Sequence, residues 1–395
     1  MRILVVQESD WLEKGPHQSH HLMERMSEKG HEIRVIDFEI LWRKHPKESV
    51  YSQRRIFLGI HKAIEKGSIT VIRPAIIKMP ILDYLSLIIT HRKEIKRQIK
   101  EFVPDVIIGF GILNSNLAIR ISKKSEIPFV YYVIDELHRL IPQDIFQNLG
   151  NLIEKNNMVR SDLVLSINEG LREYTIDMGA RSEETSVIRA GIDFSKFNPE
   201  INGSAVREKY GIREGEIVLF FMGWLYDFSG LKEIMEELTK NPARYLNIRL
   251  LIIGKGDLWE VIEQAINKEE MKKKVILLDW QPYEKMPEFL GAADICILPA
   301  LKNEIMKNIV PIKIYEYMAM GKPVIVTRLS GIIREFGLMS GITYIDRPEE
   351  ALQTAIRMSE SGVIAEMGEQ AYSFVHGNDW GRITNDFESI LRKLI

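Results

Sequence analysis

Short apolar runs alternate with amphipathic helical stretches along this chain, and that alternation limits the possible folds more than any single motif. Such a pattern reads as parallel strands joined by crossover helices. In the first half the strand candidates are residues 3–6, 33–36, 106–109, 129–134, 163–166 and 187–189, with helical patterns over 20–29, 94–102 and 116–124. Pro104-Asp105 and Ile127-Pro128 mark the turns that enter two of those strands. A second series begins after the loop 193–203, with strands at 217–222, 249–253, 275–278, 295–298 and 323–326. Helical stretches at 231–239, 258–267, 286–292 and 312–320 separate them. The predicted fold class is α/β, with two doubly wound domains over 1–193 and 194–374. Residues 375–395 supply a final helix with Trp380, Ile383, Phe387, Ile390 and Leu391 on one side. Ligands of such sheets bind beyond the carboxyl ends of the strands, so a cleft between the domains is the expected site.

The length of 395 residues suits two domains of about 100–200 residues each. Against 53 Lys and Arg stand 55 Asp and Glu, and a net charge of −2 points to no nucleic-acid partner. The single cysteine, Cys296, lies in the apolar run Ile295-Cys296-Ile297-Leu298 and reads as a buried thiol. No Cys/His cluster has metal-ligand spacing, so no metal is expected. The most apolar window, 71–90, is broken by Arg73, Pro74, Lys78, Pro80 and Asp83, which excludes a membrane-spanning helix there. The expected location is cytoplasmic, with a peripheral place on the inner membrane face left open.

The most informative stretch is Asn308-Ile309-Val310-Pro311-Ile312-Lys313-Ile314-Tyr315-Glu316, which leads to Gly321-Lys322-Pro323. Pro311 suits the first helical position, where its missing N–H costs nothing. Gly321 suits a left-handed stop, and Pro323 prevents continuation. The helix starts at the rim of the second sheet, with free N–H groups and a positive dipole available to a phosphate. Lys313 and Glu316, three apart, share a face near that end.

This helix, with Val324-Ile325-Val326-Thr327 and residues 331–335 after it, resembles the donor-site signature of glycosyltransferase family four. Gly30-His31-Glu32-Ile33, Ser161-Asp162-Leu163-Val164, Ala190-Gly191-Ile192-Asp193, Gly254-Lys255-Gly256 and Ala293-Asp294-Ile295 recur in the family's order, so the likeness covers nearly the whole chain. It implies the GT-B fold of two Rossmann-like domains, with the last helix crossing back to the N-terminal domain. It also implies metal-independent transfer of a hexosyl-type sugar, with retention, from a UDP- or GDP-linked nucleotide sugar to a glycan or lipid-linked acceptor. No other cofactor is expected.

The same resemblance assigns roles. Asp135, His138 and Asn308 become the catalytic candidates. Gly15, Gly223, Gln281, Pro299, Ile312, Lys313 and Glu316 become donor contacts, Glu316 on the ribose and Lys313 with Tyr315 on the same donor-facing turn. For His138 alone, a structural role and a catalytic one both stand, and His17, His20 and His21 are further candidates. Two departures matter. Asn308 stands where the family has its first glutamate, and Trp224 and Ser229 stand where it has a diphosphate-binding arginine and lysine. Lys232, Lys302, Lys307, Lys313 and Arg189 are the candidate replacements.

Residues 43–100 are rich in Lys and Arg with aliphatic residues interleaved. That stretch reads either as a surface for anionic lipid or as a solvated insertion with its apolar side turned inward. Two rival functions remain at this point, a GT-B-type nucleotide-sugar epimerase and a non-catalytic nucleotide-sugar-binding subunit. The sequence disfavours a dinucleotide-dependent oxidoreductase, because no Gly-x-Gly-x-x-Gly follows the first strand and Gly254-Lys255-Gly256 lacks the third glycine.

Overall fold

The computed structural model describes residues 1–13, 16–44, 49–141, 144–303 and 306–395. Two compact units divide the chain: Met1–Gly191 together with Trp380–Ile395, and Ile192–Asp379.

The first unit is built on β1 (Arg2–Gln7), β2 (Glu32–Ile36), β3 (Tyr51–Ser52), β4 (Arg55–Ile60), β5 (Ile69–Arg73), β6 (Ile76–Ile77), β7 (Val106–Phe110), β8 (Phe129–Val133), β9 (Leu163–Ser166) and β10 (Thr185–Val187). Eight of them form one sheet in the order β10-β9-β8-β7-β1-β2-β5-β4, parallel except for β4 at its edge. Both faces of the central strands are covered, which is why they read as continuous apolar runs rather than alternating ones. The crossovers are α1 (Gln18–Glu28), α2 (Leu82–Phe102), α3 (Leu113–Ser122), α4 (Asp144–Arg160) and α5 (Glu169–Asp177). The segment that the sequence marks only as basic holds a sheet edge. Arg55 and Arg73 are strand residues, and Arg73 is buried because Asp10 and Asp37 each take its guanidinium at 2.6 Å. The apolar window at 71–90 is likewise β5, β6 and the first half of α2.

The helix Trp380–Leu394 belongs to this first unit. Trp380, Ile383, Phe387 and Leu391 are buried in its core beside Leu22, Met23 and Tyr132. Gly191 packs so closely under the indole that a Cβ there would lie 2.4 Å from Trp380. The histidines near the first loop serve this packing. His20 is buried with Nε2 3.0 Å from the Trp11 carbonyl, and the His21 ring stacks on Trp380 at 4.5 Å. His17 occupies the N-cap of α1.

The second unit carries β11 (Ile217–Met222), β12 (Ile248–Ile253), β13 (Val275–Leu278), β14 (Ile295–Leu298), β15 (Val324–Thr327) and β16 (Ile342–Ile345). All are parallel, in the order β13-β12-β11-β14-β15-β16. Strand β16 is the one that periodicity missed, because Thr343 and Tyr344 interrupt the apolar run between Ile342 and Ile345. Cys296 is fully buried on β14, and burial pushes its thiol far up.

Candidate active site

In the second sheet the order reverses between β11 and β14, and a doubly wound sheet opens a crevice at the carboxyl ends of such a pair. The helix Ile312–Ala319 follows β14 and reaches that point. Pro311 is its N-cap, with ψ 131°, and not its first helical residue as expected. The fixed proline φ fits either place, and here the extended ψ lets its carbonyl accept from the Ile314 amide at 3.1 Å. Gly321 then takes φ +65°, the left-handed stop that a glycine allows.

Three residues converge at the crevice. Lys313 Nζ donates to the Met222 carbonyl at 2.7 Å and lies 4.6 Å from the Phe221 ring, while the Tyr317 hydroxyl accepts from the Met222 amide at 3.1 Å. The last peptide of β11 is thus held from both sides by the helix. Gly223 follows with φ +132°, and a Cβ there would lie 2.5 Å from Lys313 Nζ. Glu316 does not pair with Lys313. Its Oε1 accepts from the Tyr283 hydroxyl at 2.5 Å. Burial lowers the Lys313 ammonium to about 8 against the pull of the Glu316 charge. Burial raises the Glu316 carboxyl, opposed by the Tyr283 bond and by Lys313. A cation, a carboxylate and a glycine without a side chain to screen them thus lie together at one strand end, a set able to bind a phosphate and a pair of hydroxyls.

The other expected donor residues lie on that helix and in the loops after β13 and β14. Ile312 lies half-buried in the first turn of the helix. Tyr315 does not share the face of Lys313. It is buried, with its hydroxyl on Glu335 at 2.7 Å and its ring 5.0 Å from Phe336. The reason is helical geometry, because a residue two positions from Lys313 projects about 160° away from the 3.6-residue repeat. Pro299 closes on the loop after β11, since a Cβ on Gly230 would lie 1.9 Å from the Pro299 carbonyl oxygen. Gln281 donates from Nε2 to the Asp279 carbonyl at 3.1 Å. Asn308 packs by its backbone against Gly331, whose amide bonds the Lys307 carbonyl at 2.7 Å. Of the candidate replacement cations, Lys302 is on Asp346 at 2.8 Å, and Lys313 is the one seated at the Gly223 loop. Trp224 is exposed in that loop and Ser229 is buried.

In the first unit, Asp135 and His138 follow β8 at the carboxyl edge of the sheet. Burial, with the charge of Glu136, raises the Asp135 carboxyl to about 6. His138 Nδ1 meets Glu154 Oε2 of α4 at 2.8 Å and the Tyr174 hydroxyl of α5 at 3.2 Å. Gly15 lies outside the described residues. Glu8 of the loop after β1 accepts from the Asn114 amide at 2.7 Å at the start of α3, and burial raises its carboxyl to about 7. Sequence reasoning missed Tyr283, Glu8, Glu154 and Tyr174. Tyr283 was within reach, two residues past Gln281. The partners of His138 lie 16 and 36 positions away, and no spacing rule joins them. Among the described residues no group of three or more His, Cys, Asp or Glu is placed to hold a metal.

Two Rossmann-like units of this topology are the architecture of the GT-B glycosyltransferase family. The chain belongs to that family: residues 18–196 match Glycosyltransferase Family 4, and residues 204–357 match Glycosyl transferases group 1. It is 25% identical over 240 residues to the amylovoran biosynthesis glycosyltransferase AmsK of Erwinia amylovora. It is 29% identical over 155 residues to the UDP-Gal:alpha-D-GlcNAc-diphosphoundecaprenol alpha-1,3-galactosyltransferase of Escherichia coli. These matches cover 59% and 37% of this chain, and they span 55% and 37% of the relatives' own lengths. Among solved structures, Anabaena Alr3699/HepE in complex with UDP superposes with a TM-score of 0.73 at 17% identity, covering all of both chains. That likeness concerns the fold.

Proposed function

We propose that this glycosyltransferase moves a hexosyl-type sugar, with retention of configuration and without a metal, from a UDP- or GDP-linked donor to a lipid-linked or glycan acceptor. One observation carries the reading: Gly223, Lys313 and Glu316 meet at the switch point of the second sheet. Glu316 accepts from vicinal ribose hydroxyls, taking the place that the Tyr283 hydroxyl now fills. Lys313 turns from the Met222 carbonyl to the diphosphate and stabilises it as it leaves. UDP in the Anabaena structure and a diphosphoundecaprenol-linked sugar in the name of the Escherichia coli relative support this donor and acceptor class. A cofactor beyond the nucleotide sugar has no part in the scheme.

Thermal shifts and transfer assays with uridine, guanosine and adenosine diphosphate sugars test it, because a bound donor stabilises by mass action. Glu316→Ala and Lys313→Ala are expected to lower donor affinity by roughly tenfold or more each, as losses of about 1.4 kcal/mol or above. Full affinity in both variants removes the assignment. A second reading, a nucleotide-sugar-binding subunit without turnover, draws on Trp224 and Ser229 in the loop after β11, where neither side chain supplies a positive charge. Normal donor binding with no transfer to any acceptor selects it.

A further inference from the structure

The first sheet also reverses its strand order, between β1 and β7, and so opens a crevice of its own at the carboxyl ends of that pair. Glu8 follows β1 there, and helix α3 follows β7. Helix α3 has no capping side chain of its own, because its N-cap is Ile112. The Glu8 carboxylate takes that place from the other strand. Its Oε1 accepts from the Asn114 amide at 2.7 Å, and the amides of Leu113 and Ile112 turn toward the same group. Gly111 lets it lie so close, since a Cβ there would be 3.1 Å from Oε1. Glu8 is half-buried, so a solute can reach it.

The spot where such a fold ordinarily receives a ligand's phosphate is thus filled by a carboxylate of the chain itself. The two crevices are opposite in sign. Lys313 brings a cation to the one in the second unit, whereas no cation pairs with Glu8 among the described residues. Glu154 of α4 adds a second negative charge, and the Tyr131 hydroxyl of β8 feels both. As a helix cap alone the arrangement is a poor one. Burial outweighs the three amides and holds the Glu8 carboxyl at about 7, whereas a local Asp or Ser would cap α3 without that cost. The two neighbours are also unsatisfied. Tyr131 and Glu154 are 1% and 0% exposed, and neither the Tyr131 hydroxyl nor Glu154 Oε1 has a hydrogen-bond partner. Buried polar atoms left in that state are rare and call for a ligand or a water.

The geometry points to the crevice at Glu8 as the subsite for an uncharged acceptor sugar, whose reacting hydroxyl donates to the Glu8 carboxylate. The inference rests on the glycosyl transfer of the proposed function, which needs a second substrate beside the donor. A sugar hydroxyl both donates and accepts. It can lie on the carboxylate and, through one water, supply the partners that Tyr131 and Glu154 lack. An acidic sugar instead carries its own charge toward two of the same sign. Glu8 is thus a binding residue that sets which acceptors are used, and no proton transfer is asked of it.

Saturation-transfer NMR on the intact protein at about pH 8, where the Glu8 carboxyl is ionised, tests this without donor or turnover. The probes are the methyl glycosides of glucose, galactose and N-acetylglucosamine, and those of glucuronic and galacturonic acid. At least one neutral glycoside is expected to bind wild type roughly tenfold or more tightly than either acidic one. Glu8→Gln keeps an oxygen for the Asn114 amide and removes the charge, and it should bring that ratio down to about threefold or less. Glu8→Ala should weaken the neutral ligand about tenfold. If that variant melts early, Glu8→Gln decides alone. Thermal shifts by uridine and guanosine diphosphates should be unchanged in both variants, because their proposed contacts lie on the second unit. Wild type that binds no neutral glycoside, or a Glu8→Gln protein with the wild-type ratio, overturns the inference. A Glu8-dependent ratio in a protein that neither binds nucleotide nor transfers sugar refutes the proposed reaction and leaves the subsite standing. Nucleotide binding and transfer with acceptor choice unchanged by Glu8→Gln does the reverse.

Discussion

His138 Nδ1 lies 2.8 Å from Oε2 of Glu154, a carboxylate with no exposed surface. The same oxygen is 3.4 Å from the His138 amide and 3.4 Å from the Tyr174 hydroxyl. Three donors from two segments thus converge on one buried acceptor, and the imidazole is oriented with Nε2 away from it. Gly150 on α4 lies under the same turn, where a Cβ would meet Ile141 Cδ1 at 2.6 Å and His138 Cβ at 3.4 Å. Replacing His138 by alanine strips Glu154 of its best donor and should cost roughly 1–3 kcal/mol. Glu154→Gln keeps an acceptor oxygen and should cost less than Glu154→Ala. Urea unfolding of the three variants measures this, and a His138→Ala protein as stable as wild type would show that the pair is idle.

Two glycines at the crevice of the second sheet differ in what a methyl group would meet. At Gly223 the obstacle is Lys313 Nζ, the far end of a flexible side chain, and the larger cost is the φ of +132°. At Gly254 a Cβ would fall 1.8 Å from the Gly223 carbonyl oxygen, a backbone atom with no room to withdraw. Gly223→Ala should therefore fold with a loss of about 1–3 kcal/mol and a displaced Lys313, and bind nucleotide roughly tenfold more weakly. Gly254→Ala should lose more stability than Gly223→Ala in the same melt. Equal melting temperatures would contradict this account of the loops.

Donor binding should carry the titration of Lys313. Its folded-state pKa is lowered to about 8 by burial, so the ammonium is charged at neutral pH and loses its proton as pH rises through that value. The affinity for an anionic diphosphate should then be steady below about pH 7 and fall by roughly tenfold towards pH 9. Calorimetric titration across that range shows the decline. In Lys313→Met the affinity should be low and level throughout; a variant that declines in parallel with wild type would assign the titration to another group.

The architecture was open to sequence reasoning because parallel strands buried on both faces leave continuous apolar runs, as at Ile3-Leu4-Val5-Val6 and Val218-Leu219-Phe220-Phe221. Where polar or charged residues interrupt a strand, that signal fails. Strand β5 ends in Arg73, whose charge is neutralised by Asp10 and Asp37 from distant positions, and β16 carries Thr343 and Tyr344 between its two isoleucines. At the site, Lys313 and Glu316 stood out because helix signals flank them. Their actual partners, the Met222 carbonyl and the Tyr283 hydroxyl, are set by how strands and loops come together and leave no local mark. Tyr315 shows the opposite error, a residue beside the site in sequence whose side chain points into the core.

The helix Trp380–Leu394 also sets the order in which the two units can be completed during synthesis. The second unit is one unbroken stretch of chain and has all of its core when residue 379 leaves the ribosome. The first unit, although synthesised earlier, lacks Trp380, Ile383, Phe387 and Leu391 until those residues emerge. Until then, the groove that these side chains fill exposes Leu22, Met23 and Tyr132 to solvent and to chaperones. The half that is born first is the half that is finished last.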